Sequence, residues 1–195
     1  MLGTAMVLAG ALGPLSDTRA FAADAAEGFH VIRRDDIRTI EASTRSELSA
    51  ALVALRLTLG WHGQTALSFE QRADLVSDAS GCRIDGLRST LVVTVTLPRL
   101  DRRRGRHDRE VERLWQSSLE ALRAHEEGHV AIGIKGAQMA HDRLSVGGPF
   151  VDCREAKRAL MREELRFRYR QASDHQRYDL RTRSGERQRP RVPPP

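Results

Sequence analysis

Arg123-Ala124-His125-Glu126-Glu127-Gly128-His129-Val130-Ala131 carries the spacing H-E-x-x-H. At 3.6 residues per helical turn, positions i and i+4 share a face, so His125 and His129 can aim ring nitrogens at one point. Two imidazoles converging in this way suit Zn²⁺. Glu126, next to the first histidine, can then reach a water held by the metal. Zinc brings such a water's pKa towards neutrality, and a glutamate can take its proton and return it to a leaving amine.

The flanks say that this stretch is helical and partly buried. Val111, Leu114, Trp115, Leu119 and Leu122 recur at roughly helical spacing before it, and Val130, Ala131, Ile132 and Ile134 follow it. An unpaired His/Glu/His trio on a buried face is costly, which favours a ligand or a hydrogen-bond network over idle surface. The helix is expected to run to about Leu144 and to stop at Gly147-Gly148-Pro149. A second, highly charged helix should start at Cys153 and run to about Ala172.

Upstream, Phe29-His30-Val31-Ile32-Arg33 and Ile37-Arg38-Thr39-Ile40-Glu41 read as short strands. A helix follows to about Leu59, capped either by Ser43 towards Ser46 or by Thr44 towards Glu47 in a capping box. Gly60-Trp61-His62-Gly63-Gln64 reads as a turn and residues 65–70 as a strand. Residues 82–87 and 90–97 are the clearest strands, the second dense in β-branched side chains and closed by Pro98. In zinc peptidases an edge strand can bind substrate backbone, and 90–97 is the segment to inspect for a free edge. The fold class expected is α+β: a small, mainly antiparallel sheet packed on a zincin-like H-E-x-x-H helix and a second C-terminal helix.

Residues 1–23 read as a secretory signal peptide. An apolar run too short to span a bilayer comfortably leads into a small-x-small site at Ala20-Phe21-Ala22-Ala23. No other segment is apolar enough to cross a membrane. Export to the periplasm or the medium fits the two cysteines, Cys82 and Cys153, which are expected to form one disulfide across 71 positions. The domain itself spans 29–185, and residues 186–195, rich in Arg and Pro, read as a disordered tail.

The chain holds 32 Lys and Arg against 26 Asp and Glu, a net charge of +6. All the basic residues except Lys135 and Lys157 are arginine, mixed with acids through most of the chain. The runs at 102–106 and beyond 177 lack interleaved aromatics, so no specific nucleic-acid partner is expected.

A catalytic zinc takes three protein ligands and a water. The metzincin extension H-E-x-x-H-x-x-G-x-x-H is excluded, because Ile132 and Lys135 stand where Gly and His would be needed. His141, twelve residues beyond His129, lies about 120° around an unbroken helix and faces away. Glu163 and Glu164 read better as charged helix surface. His175 and Asp179 lie in a segment that could fold back over the metal, and the third ligand is left between them.

The ordered set of Leu97-Pro98, Trp115, His125-Glu126-Glu127-Gly128-His129, the flanking cysteines and Tyr178-Asp179-Leu180-Arg181-Thr182 resembles the bacterial domain of unknown function 922, across roughly 29–185. The resemblance implies a secreted zinc-dependent protease acting on peptide or protein substrates. The family's tail reads Y-D-x-x-T-x-H-G, and Ser184 stands here at its histidine. If that histidine is a ligand there, Asp179 or His175 would have to substitute. The alternative reading is a non-catalytic envelope protein, binding or structural, with a degenerate metal site.

Overall fold

The computed structural model describes residues 28–59, 63–101 and 109–188. The expected signal peptide, the turn at 60–62, the arginine-rich stretch 102–108 and the tail from 189 lie outside the described residues. In chain order the elements are β1 (Gly28–Ile40), α1 (Arg45–Leu59), β2 (Gln64–Asp78), β3 (Gly81–Leu100), α2 (Arg109–Ser145) and α3 (Cys153–Thr182). A 3-10 turn, Glu186–Gln188, follows α3. The protein is α+β, with a three-stranded sheet against the two long helices.

The sheet corrects the sequence reading in three ways. Its order is β1-β3-β2, with β1 parallel and β2 antiparallel to β3, so it is mixed rather than mainly antiparallel. A parallel neighbour needs a long crossover, and α1 with β2 supplies it. The two short strands read at the start are one, β1. The segments read as 82–87 and 90–97 are likewise one strand, because Gly86, at φ 53°, bends the chain opposite a register shift at Arg72/Asp74 without ending the ladder. β3 is therefore central and paired on both sides over 88–96, so 90–96 has no free edge among the described residues.

Strand alternation places the core. Leu91, Val93 and Val95 point to the helical face of β3 and are fully buried, meeting Phe69 of β2, Val130, Ala137 and Ala140 of α2 and Phe167 of α3. Each such side chain contributes roughly 1.5–3 kcal/mol by leaving water. A second cluster, around Leu48, Val111 and Trp115, seats α1 on the start of α2. The Thr44 alternative is the cap that forms: Glu47 N–H donates to Thr44 Oγ1 (3.2 Å), and Glu47 Oε2 accepts from the Thr44 and Ser43 N–H groups.

α2 runs unbroken for 37 residues. After it the chain returns to the sheet, where Phe150 exchanges two backbone hydrogen bonds with Cys82 (2.8 and 2.7 Å). The Cys82–Cys153 disulfide forms beside them. Asp152 caps α3 by accepting from Glu155 N–H at 2.7 Å. α3 passes the expected stop near Ala172 and continues for ten more residues to Thr182, carrying His175 and Asp179 with it. No helix among the described residues is long and apolar enough to cross a membrane.

The disulfide closes a loop of 71 residues, for which chain-entropy reasoning gives roughly 4 kcal/mol. Cys82→Ser with Cys153→Ser is expected to lower unfolding free energy by about 2–4 kcal/mol, read from denaturant unfolding, with a lower midpoint and an m-value that rises as the freed unfolded chain exposes more surface. An unmoved midpoint would show that the bridge does not restrict the unfolded chain.

Candidate metal centre

His125 and His129, one turn apart on α2, are both buried, as is Glu126 between them in sequence. The start of β2 lies against this part of α2. Thr65 Oγ1 donates to Glu126 Oε2 at 2.7 Å, fixing one carboxylate oxygen. Gly63 leaves room for the other, since a Cβ there would lie 3.0 Å from Oε1. Thr65 is absent from the sequence reading as a site residue. Its only signal is a place at the head of a strand.

α3 supplies the third corner. Asp179 Oδ1 lies 3.1 Å from His125 Nε2 and 3.0 Å from His129 Nε2, and the two Nε2 atoms are 3.2 Å apart. Among the described residues, this trio is the one group of His, Cys, Asp or Glu whose ligand atoms gather closely enough to hold a metal ion. With metal–ligand bonds of about 2.0–2.1 Å at tetrahedral angles, ligand atoms stand roughly 3.3 Å apart. The observed triangle is slightly tighter than that. The residues present therefore fit a zinc-sized ion.

Of the two candidates for the third position, Asp179 is at the triangle and His175 is not. His175 lies one turn earlier on α3, behind His129, with Nδ1 2.5 Å from His129 Nδ1 and Nε2 2.7 Å from Gln171 Oε1. The remaining candidates fall elsewhere. His141 contacts Ser89 at 2.9 Å on the far side of the core, Glu164 pairs with Arg168, and Glu163 is buried between Arg143 and Arg166. Ser184 lines the same cleft as the triangle, and its backbone N–H donates to the Asp179 carbonyl at 2.8 Å. That cleft, about 210 Å³, is also lined by Gly63, Gln64, Thr65 and Glu126.

Several residues around the triangle went unassigned in the sequence. The Tyr178 ring stacks on His125 (centroids 5.1 Å apart, planes at 17°) and meets His129 edge-on. Gly128 makes this possible, because a Cβ there would sit 2.0 Å from the tyrosine oxygen. Gln188, inside the stretch read as a free tail, belongs to the 3-10 turn and places Oε1 3.0 Å from His125 Nδ1.

Burial sets the electrostatics. Desolvation pushes the His129 pKa down to about 4, against the opposing pull of Asp179, and it lowers His175 as well. Desolvation raises Glu126, partly countered by the Thr65 hydrogen bond. Burial thus favours the neutral imidazole at His129 and His175, the form in which a histidine binds metal.

A family model described as "Bacterial protein of unknown function (DUF922)" matches residues 37–186, well over half of the chain. The matched span contains the triangle and Glu126 and ends two residues before Gln188. No curated protein and no solved structure matches the chain.

The burial shifts make stability pH-dependent in the metal-free protein. Between pH 6.5 and about 4 the unfolded chain protonates His129 while the folded chain does not, so stability falls on acidification through that window. Glu126 acts in the opposite sense, since the folded state keeps its proton above the usual carboxylate range. In thermal melts of chelator-treated protein, His129→Asn should flatten the loss of Tm between pH 6.5 and 4, and Glu126→Gln should steepen it. An unchanged slope in His129→Asn would assign the proton uptake to another group.

Proposed function

For a chain that belongs to the DUF922 family of bacterial proteins, we propose a zinc-dependent peptidase that works outside the cytoplasm. The observation that carries this reading is the triangle of His125 Nε2, His129 Nε2 and Asp179 Oδ1, with edges of 3.0–3.2 Å beside a buried glutamate in one cleft. His125, His129 and Asp179 would hold the metal. Zinc, when bound, would supply Lewis acidity, lowering a water's pKa and polarising a substrate carbonyl. Glu126 would act as general base, taking the proton of the attacking water, and then as general acid towards the leaving amine. The Thr65 hydroxyl holds one oxygen of that carboxylate and leaves the other for the proton. Cys82–Cys153 fits an oxidising compartment such as the periplasm or the medium.

The non-catalytic alternative drew on Ser184, which stands where the family pattern has histidine. With Asp179 supplying an oxygen to the triangle, the reading proposed here needs no ligand from position 184. A side chain at 184 would instead face the cleft, where it could touch a substrate.

Purified protein should carry about one zinc per chain, as a three-ligand site requires. His129→Ala and Asp179→Ala should lose it, and Glu126→Gln should keep the metal while peptide hydrolysis falls by about 10²-fold or more. Metal retained by Asp179→Ala would remove Asp179 from the ligand set, and full activity in Glu126→Gln would remove the general base.

A further inference from the structure

We infer that Gln188 and the Gln171–His175 pair are positioning residues: they place the ring protons of His125 and His129 on Nδ1 and so leave both Nε2 atoms bare towards one point. This rests on the metal reading above.

The proton order follows from what each glutamine faces. Gln188 Nε2 lies 3.4 Å from the Ala124 carbonyl and 2.8 Å from Tyr178 Oη. A carbonyl only accepts, so that end of the amide is its NH₂. Oε1 then faces His125 Nδ1 at 3.0 Å and can only accept, which requires Nδ1–H on His125. The second relay is one residue longer. Gln171 Nε2 lies 3.4 Å from the Ile132 carbonyl, so its Oε1 accepts from His175 Nε2–H at 2.7 Å. His175 Nδ1 is then bare and accepts from His129 Nδ1–H at 2.5 Å. Both chains of hydrogen bonds end on an unprotonated Nε2.

Helix α2 is built to seat both amides. In an α-helix the carbonyl of residue i accepts from the N–H of i+4. Ala124 and Ile132 thus have Gly128 and Gly136 as their i+4 partners, and neither carbonyl is crowded by a Cβ. A Cβ at Gly136 would lie 2.0 Å from Gln171 Nε2, and one at Gly128 equally close to Tyr178 Oη, the partner of Gln188. The two relays use the same device eight residues apart. Outer partners that fix a ligand histidine's tautomer typically change metal affinity about 10–100-fold when removed.

Two measurements on the full chain test this. In metal-stripped wild type above pH 7, ring ¹⁵N shifts should report Nδ1–H on His125 and His129 and Nε2–H on His175. Zinc affinity by chelator competition should fall about 10–100-fold in Gln188→Met and in His175→Phe. It should stay within about threefold in Gln188→Glu, which keeps an acceptor for Nδ1–H. Unchanged affinity in a folded Gln188→Met, no rescue by Gln188→Glu, or Nε2–H on either ligand histidine would overturn the inference. If the wild type takes up no zinc, the metal reading fails, and the ring shifts alone decide the proton order.

Discussion

The close approach of α3 to α2 is the constraint on which the site depends. At Gly128 and at Gly136 a side chain of α3 comes so near that a Cβ would meet it at 2.0 Å. Relieving either clash to an ordinary contact of 3.4 Å or more would move a helix or a side chain by more than 1 Å. The triangle tolerates far less, since its edges are 3.0–3.2 Å and a zinc site allows only a few tenths of an ångström. Glycine therefore acts here through its missing side chain rather than through unusual backbone angles. The other end of α3 is held independently, by the disulfide and the Phe150 backbone pair to Cys82. α3 is thus clamped to the sheet at its start and seated on α2 towards its end, and Asp179 is delivered between the two histidines.

Much of the frame was legible in the chain. Helical spacing from Val111 through Ile134 marked α2, the β-branched run at 90–97 marked the middle of β3, and an even pair of cysteines marked the bridge. What failed did so for identifiable reasons. The sequence reading broke the strand at residues 88–89, yet the left-handed backbone of Gly86 lets β3 bend and continue, because β2 pairs with it on both sides of the irregularity. Strand direction was out of reach, since the parallel pairing of β1 and β3 depends on how α1 and β2 carry the chain back. Ser173-Asp174-His175 looked like the close of α3, but packing against α2 overrides weak local propensity.

The site divides along the same line. His125, Glu126 and His129 are one local pattern on one helix, so the spacing alone brought them together. Asp179 was named but could not be separated from His175. Both lie on one face of α3, a turn apart, and only the register of α3 on α2 decides which reaches the triangle. Thr65, Gln171 and Gln188 left no local trace, and Tyr178 entered only as part of the family pattern, with no role attached. Thr65, Tyr178 and Gln188 meet the motif across some 50 to 60 residues of chain, and Gln171 reaches it only through His175, contacts that no spacing rule encodes. Gln188 was further concealed by an Arg/Pro-rich neighbourhood that composition assigns to a tail.

Two acids on α3 separate structural charge from charge kept for another use. Glu163 is almost fully buried, but Arg143 and Arg166 flank it, so its charge is met within the chain. A buried ion pair of this kind adds little net stability, because desolvation offsets much of the Coulombic gain. Asp179 is treated otherwise. Among the described residues, no Lys or Arg pairs with its carboxylate, although the chain carries 32 of them. It faces two imidazole nitrogens instead, and the outer hydrogen bonds of both rings are already committed to Gln188 and His175. A carboxylate set against two lone pairs at about 3 Å is repulsive unless a positive charge joins them. In so arginine-rich a protein, an Asp179 carboxylate without an arginine partner among the described residues suits the cation site proposed above.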